Sequence, residues 1–333
     1  MISIMGVRSR SLRALARYFM LLAIGVLGAC GGDGRDTPTA IAPQSGFLTL
    51  RVTDAPVDDA AEVIVVFTGI ELQRGPASTI NIDFDTPRSI DLLQFRDGRT
   101  ANLIEGSPVL PGEYEWLRLK ISAEQNLQSG SRIRLRDGRQ FPLFIPSGSE
   151  SGLKLSRRFT VAQGGVTRLI IDFDLRKSIV APPGLSPNWI LRPSLRLIDE
   201  LQVGSLSGTL NIATLAAAQQ TGVSACKSGI YVFAGGAAVP DDMDGDPTDG
   251  TDPIVYQSLT STVPGAPINF TIPFLEAGDY TIAFTCQFDV DADPTRSEYD
   301  PTTAKQPGAT VSMRFAAKTA RITPGATTRI DAP

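Results

Sequence analysis

The chain of 333 residues contains no histidine. This removes at the outset the Ser-His-Asp triad, the Cys-His dyad and every histidine-ligated zinc site. Nucleophilic attack and proton transfer would then fall to serine, lysine and carboxylates. Gly148-Ser149-Glu150-Ser151-Gly152 has the glycine spacing of a nucleophile elbow but puts Glu150 where the attacking residue should stand. With Lys154 beside it a Ser-Lys mechanism is conceivable, provided the lysine is buried enough to act as a base. Nothing around Lys154 calls for burial, and a surface loop is the plainer reading. Paired carboxylates that hydrolyse glycosides cannot be chosen from sequence, because their separation defines the chemistry.

The densest set of potential ligands is Asp241-Asp242-Met243-Asp244-Gly245-Asp246-Pro247-Thr248-Asp249-Gly250-Thr251-Asp252. Calcium takes about six to eight oxygens, and carboxylates at Asp242, Asp244 and Asp246, with Asp249 closing the loop, would set several around one point. No histidine or free thiolate competes for a transition metal. Against an EF-hand, Pro247 occupies the glycine position and no Glu closes the loop. The other reading is a solvated acidic connection, kinked by Asp, Gly and Pro. A second run, Asp289-Val290-Asp291-Ala292-Asp293, could join it. Arg132, Arg134 and Arg136 alternate and so share a strand face, expected to be a solvated edge that discourages strand addition, or a site for an anionic glycan or lipid headgroup. Trp116 is expected in the core. Trp189, after Pro182, Pro183, Gly184 and Pro187, is expected to cap that loop.

These residues sit among short β-branched or alternating runs. FLTLRV (47–52), VIVVF (63–67), WLRLKI (116–121), RIRL (132–135) and LIIDF (169–173) are bounded by Gly, Pro and Asp, as strands are. Only LNIATLAAAQQ (210–220) has helical propensity, with Gly222 as its stop. An all-β architecture follows. The halves also repeat each other. Leu110-Pro111-Gly112-Glu113-Tyr114 precedes WLRLKI, and Leu275-Glu276-Ala277-Gly278-Asp279-Tyr280 precedes TIAFTC. In each the glycine makes the turn, and the tyrosine is expected to bury its ring while its hydroxyl bonds a loop. About fifty residues later, Gly164-Gly165 and Pro324-Gly325 each lead into a closing strand. The reading is two tandem Ig-like or transthyretin-like β-sandwiches, 46–202 and 203–333.

The first residues, 1–29, read as a signal peptide. Arg8, Arg10, Arg13 and Arg17 precede an apolar run from Tyr18 to Leu27 about half as long as the ~20 residues that cross a bilayer. Leu27-Gly28-Ala29-Cys30 closes it and resembles the signal of bacterial lipoproteins. That resemblance implies cleavage before Cys30 and acylation of its thiol, whose several chains make a stable anchor where one would be marginal. Gly31 and Gly32, in place of an Asp, favour the outer membrane, facing the periplasm or the cell surface. Residues 30–45 then form a flexible tether of Gly, Asp, Thr, Pro and Ala. With Cys30 lipidated, Cys226 and Cys286 remain as an even pair in an oxidising compartment, expected to form a disulfide. Loss of the signal moves the formal charge from −4 to −8. Residues 46–202 carry 19 Lys and Arg against 19 Asp and Glu, and residues 203–333 carry 7 against 14. A basic footprint for nucleic acid is absent.

The first half resembles a bacterial lipoprotein family known only as domain of unknown function 4382. The segments that carry the resemblance are Val52-Thr53-Asp54-Ala55-Pro56-Val57 with Asp58 and Asp59, Phe67-Thr68-Gly69-Ile70-Glu71-Leu72, Ser89-Ile90-Asp91-Leu92-Leu93, Phe141-Pro142-Leu143, Pro146-Ser147-Gly148-Ser149 with Gly152-Leu153-Lys154-Leu155, Ile171-Asp172-Phe173-Asp174-Leu175-Arg176-Lys177-Ser178, and Leu191-Arg192-Pro193. They run in order from about Gly46 to Asp199. The resemblance implies an exported β-rich lipoprotein and brings no catalytic residue with it. The second half is similar to carboxypeptidase-regulatory or transthyretin-like sandwiches through its Gly-x-Tyr turn and strand spacing. The expectation is a non-enzymatic binding or structural lipoprotein, held to the membrane through Cys30 and meeting an envelope protein or glycan. The alternative is an envelope hydrolase using carboxylates or a Ser-Lys pair.

Overall fold

A first strand held between a later antiparallel strand and a closing parallel strand is the unit from which both halves of the protein are built. The computed structural model describes residues 44–332 except 56–59, 77, 97, 125–129, 146–151, 182–188, 193, 245–249, 262, 264–265 and 289–312. The expected signal peptide, Cys30 and most of the expected tether therefore lie outside the described residues. The first half runs β1 Gly46–Ala55, β2 Ala60–Gln73, β3 Thr79–Asp91, β4 Ala101–Val109, β5 Gly112–Tyr114, β6 Trp116–Ser122, β7 Arg132–Leu135, β8 Gln140–Phe144, β9 Leu153–Leu155, β10 Phe159–Val161, β11 Val166–Asp174, the single-turn helix α1 Leu175–Ser178, β12 Ile179–Val180, β13 Trp189–Leu191 and β14 Leu195–Asp199. The second runs β15 Val203–Leu210, the helix α2 Ile212–Ala218, β16 Gly229–Ala234, β17 Val255–Ser258, β18 Ile268–Glu276, β19 Gly278–Thr285, β20 Ala316–Ile322 and β21 Thr327–Asp331.

The protein is all-β. In the first half a sheet ordered β14-β11-β1-β4 faces a larger sheet ordered β12-β13-β8-β7-β2-β6-β9, with β3 also on β2. Alternation along β1 sends Leu48, Leu50 and Val52 inward to meet Val63, Val65 and Phe67 of β2 and Leu117, Leu119 and Ile121 of β6. In the second half the sheet β18-β15-β21 faces β17-β16-β19-β20. Leu206 and Leu210 there pack with Ile230, Val232, Ile282 and Phe284. The outer face of β16 is covered too: Tyr231 and Phe233 pack with Met243, Tyr256, Phe288 and Met313. Residues from Pro43 onward make one compact unit, and Ile170, Ile198 and Val203 form a small shared cluster with Phe274 against it.

The repeat expected from sequence extends to hydrogen-bond register. β1 pairs β11 in parallel and β4 antiparallel, while β15 pairs β21 in parallel and β18 antiparallel. Phe47 N–H donates to Gly165 O at 2.9 Å and Ser205 N–H to Ala326 O at 2.9 Å; Gly164 and Gly325 N–H donate to Ser45 O and Val203 O. Thr167 and Thr328 each donate their hydroxyl to the carbonyl seven residues back. Both tyrosines donate to the carbonyl four residues back, Tyr114 to Leu110 and Tyr280 to Glu276, each at 2.7 Å. Gly46 and Gly204 occupy matching positions, and a Cβ on either would strike a crossing carbonyl, Ala162 O or Thr323 O. The disulfide joins Cys226, ahead of β16, to Cys286, just past β19, with Cα atoms 4.4 Å apart.

Three local expectations are corrected. The helix ends at Ala218, earlier than Gly222 requires, because Gln220 itself takes a left-handed backbone at φ 56°. The arginine strand β7 is an interior strand, bonded to β2 on one side and β8 on the other; Arg134 faces Glu62 at 3.5 Å. Trp116 is not core. The strand alternation gives the interior to Leu117, Leu119 and Ile121 and leaves Trp116 on the outer face with Arg118 and Lys120, where the Arg118 and Lys154 cations lie 4.8 and 4.6 Å from its ring. Trp189 packs on Phe141 at 6.0 Å, and the loop it was expected to cap is outside the described residues. Replacement of either tyrosine hydroxyl strips a partner from a turn carbonyl. Tyr114→Phe and Tyr280→Phe are each expected to lower stability by about 0.5–1.5 kcal/mol in urea unfolding, and an unchanged midpoint for both would refute the role given to these turns.

Candidate functional site

Parallel pairing brings the carboxyl ends of β1 and β11 side by side, with Thr53 opposite Asp172, Asp54 opposite Phe173 and Ala55 opposite Asp174. The inward positions of both strands are apolar up to this point, Leu48, Leu50 and Val52 on one and Leu169 and Ile171 on the other; at the strand ends acids appear. The second half covers the place from above. Between Gly204 and Leu206 the β15–β18 register slips, leaving Pro273 and Phe274 as a bulge, with Phe274 in a left-handed backbone at φ 57°. Such a conformation costs a non-glycine residue roughly 1–2 kcal/mol. It turns Phe274 toward Ile170 and Ile198 of the first half and toward Val203 at the start of β15. Between the strand ends and the bulge lies a cavity of about 310 Å³, to which Asp54, Asp172, Asp174, Lys177, Arg196 and Asp252 contribute the charges, and Ile254, Tyr256 and Phe274 much of the apolar wall.

Most of these charges are engaged. Arg196 on β14 holds Asp172 through two nitrogens, Nε at 3.0 Å and Nη2 closer still. Asp174 caps α1, accepting from the Lys177 N–H at 3.2 Å, and the Lys177 ammonium reaches Asp252 Oδ2 at 4.0 Å. Ser178 Oγ accepts from Ser194 N–H at 2.9 Å, pinning the chain between α1 and β14. Asp54 is the exception. Its own N–H donates to Phe95 O, but both carboxyl oxygens are buried without a hydrogen-bond partner. Burial raises its pKa well above the ordinary carboxylate value, and the charges of Asp172 and Asp174 raise it further; Arg96 and the Leu175 amide, the latter outside hydrogen-bonding geometry, act against this. Asp174 is also raised, first by burial, against the pull of its bond to Lys177 N–H and of the Lys177 charge.

The aspartate-rich turn abuts this cavity through Asp252. Asp241, Asp242 and Asp244 are 1%, 0% and 9% exposed, so this part of the turn is not the solvated connection that its composition allows. Asp242 N–H donates to Asp241 Oδ1 at 3.0 Å, and Asp244 N–H to Asp252 Oδ1 at 3.2 Å, folding the turn back on itself. Gly250 lies so close that a Cβ there would collide with the Asp241 carboxylate. Asp246, Asp249 and the run from Asp289 to Asp293 are outside the described residues. Among the described residues no three carboxylate or thiol side chains are gathered to hold a metal ion. Lys154 is exposed and lies over Trp116, which removes the buried base that a Ser-Lys mechanism needs; Ser149 and Ser151 are outside the described residues.

Sequence reasoning did not assemble the cavity. Asp54, Asp172, Asp174 and Lys177 do stand in two of the segments that carried the family resemblance, and each acid interrupts a run that is otherwise apolar. That interruption was the available signal. Their meeting depends on a parallel pair separated by more than a hundred residues.

Residues 45–193 match the protein family described as Domain of unknown function (DUF4382). The matched segment supplies β1, β11 and α1, whereas Arg196 and the covering residues from Asp252 to Phe274 lie beyond it. No curated protein matches the chain. One solved structure, described as a "putative cell adhesion protein" from Bacteroides eggerthii DSM 20697, aligns at 10% identity over 87% of this chain and 88% of that one, with a TM-score of 0.20. So slight a likeness carries no argument about fold or function.

The buried carboxyl of Asp54 gives a pH signature. With a folded pKa above the unfolded one, the group favours the folded state fully below the unfolded pKa and loses that contribution as pH rises through the folded pKa. Each pH unit separating the two pKa values corresponds to about 1.4 kcal/mol. Asp54→Asn is therefore expected to be more stable than wild type at pH 7, with the gain vanishing as pH falls toward 4. Urea unfolding across this range checks it, and a gain independent of pH would reject it.

Proposed function

We propose that this protein is a lipid-anchored, non-enzymatic binding or structural module of the bacterial outer membrane, tethered through Cys30. The observation that carries the reading is the pairing of Cys226 with Cys286, which fits an oxidising compartment and leaves Cys30, placed directly after Leu27-Gly28-Ala29, as the one remaining thiol. Among the described residues no helix is long and apolar enough to cross a membrane. The charges of the cavity are mostly spent on one another, in an ion pair and a helix cap within the first half and in the Lys177–Asp252 contact between the halves. This suits a rigid spacer or binding module better than a hydrolase. The outer membrane is favoured by Gly31 and Gly32, and a periplasmic orientation is the simplest one. Fractionation of cell envelopes tests the anchor: wild type should sediment with outer membranes and Cys30→Ala should be released in soluble form. Equal partitioning of the two would reject the proposal.

Calcium at the aspartate-rich turn is the second part of the proposal. Burial of Asp241, Asp242 and Asp244 supports it, because a bound cation offsets part of the cost of taking carboxylates out of water. Asp242 and Asp244 would act with Asp246 and Asp249, and the ion would order the turn that backs the cavity. At a Kd of ~0.1–1 mM, 5 mM calcium adds about 1–2 kcal/mol of stability. The expected outcome is a melting temperature several degrees higher in calcium than in EDTA, lost in Asp244→Asn with Asp246→Asn. Identical wild-type melting in both buffers would leave the turn without an ion.

A further inference from the structure

Each half presents an equivalent end of its first sheet, the end with the tyrosine turn and the glycine-led closing strand, and the two halves use it differently. In the second half the end is covered. Phe274 packs on Ile170, Ile198 and Val203, and Glu276 pairs with Arg157. The shared register places Pro108 where Phe274 stands, Leu110 where Glu276 stands, Phe47 where Ser205 stands and Val166 where Thr327 stands. In the second half Ser205 and Thr327 join their hydroxyls at 2.8 Å. In the first half the row is apolar and bare. Pro108, Phe47 and Val166 stand directly across from one another on neighbouring strands, so their side chains share a face. Leu110 follows two residues beyond Pro108. Phe47, Leu110 and Val166 are 39%, 42% and 41% exposed.

We infer that this row docks against the bilayer that holds Cys30, so that the first half lies on the membrane surface as the second half lies on the first. The inference rests on the lipid anchor proposed above. The tether enters the fold at this same end: Ser45 O accepts from Gly164 N–H at 3.2 Å, and Phe47 is two residues further on. Residues 31–44 separate the anchor cysteine from Ser45, and a chain of that length, even fully extended, reaches no further than about 50 Å. At that range the effective concentration of the membrane is on the order of millimolar, so even a small apolar row suffices. Phe, Leu and Val side chains suit the boundary between headgroups and acyl chains, and Arg168, exposed two residues beyond Val166 on the same face, reaches headgroup phosphates.

The test uses the full lipidated chain in vesicles of phosphatidylethanolamine and phosphatidylglycerol, with a photo-crosslinking phenylalanine derivative at position 47, 166 or 239. Val239, 62% exposed in the second half, is the control. Lipid adducts at 47 and 166 at least fivefold above 239, with the adduct at 166 reduced by Phe47→Glu, support docking. Yields equal to the control overturn it, as do adducts on a second copy or another protein in place of lipid. Flotation of wild type beside Cys30→Ala reports separately on the anchor. A floating wild type without adducts ends the docking inference alone, whereas equal flotation of the two ends the anchor reading and the docking with it.

Discussion

The parallel pairing of an early strand with a late one is the constraint on which the rest of this protein hangs. A parallel neighbour cannot be reached by a hairpin and requires a long crossover, so β2 to β10 must fold as an excursion between β1 and β11, and β16 to β20 between β15 and β21. The excursions supply the second sheet of each sandwich, against which the first strand buries Leu48, Leu50 and Val52 or Leu206 and Leu210. The closure is tight enough to specify glycine. At Gly46 and Gly204 the chain passes so near the turn before the closing strand that no Cβ fits, and replacing either would force the parallel pair apart.

Parallel closure also explains where the charges gather. It aligns two strand ends that point the same way, and both β1 and β11 end in acids. Once adjacent, these carboxylates repel and lose solvent together, and the structure answers with Arg196 on Asp172 and the α1 cap on Asp174. Asp54 receives neither and is held toward its neutral form by burial. The second half closes over this end through the Pro273–Phe274 bulge, a departure from regular pairing that the matching strand β4 does not need in the same form, because among the described residues no element sits on it.

Much of the architecture was legible because it rests on local pattern. Alternation in FLTLRV and WLRLKI and the Gly-x-Tyr turns report on residues near in sequence, and the parity of cysteines is a count that needs no geometry; strands, tyrosine bonds and disulfide follow them. What failed is what neighbours decide. Trp116 looks like core until alternation is followed strictly and Leu117 takes the interior position; the arginines of β7 look like an edge until β8 is found bonded beside them. The cavity was illegible for the same reason. Nothing near Asp54 in sequence announces Asp172 or the bulge at Phe274.

Charge counted along a chain is not charge presented to solvent. The second half carries twice as many acids as bases, which on composition alone argues for a strongly anionic surface. Yet Asp241, Asp242 and Asp244 are buried, and Asp279 and Glu276 face Arg321 and Arg157. The acidity of this half is thus partly an internal matter, gathered where the aspartate-rich turn backs the second sandwich. Net charge governs long-range encounter, whereas buried carboxylates govern stability and its response to pH and cations.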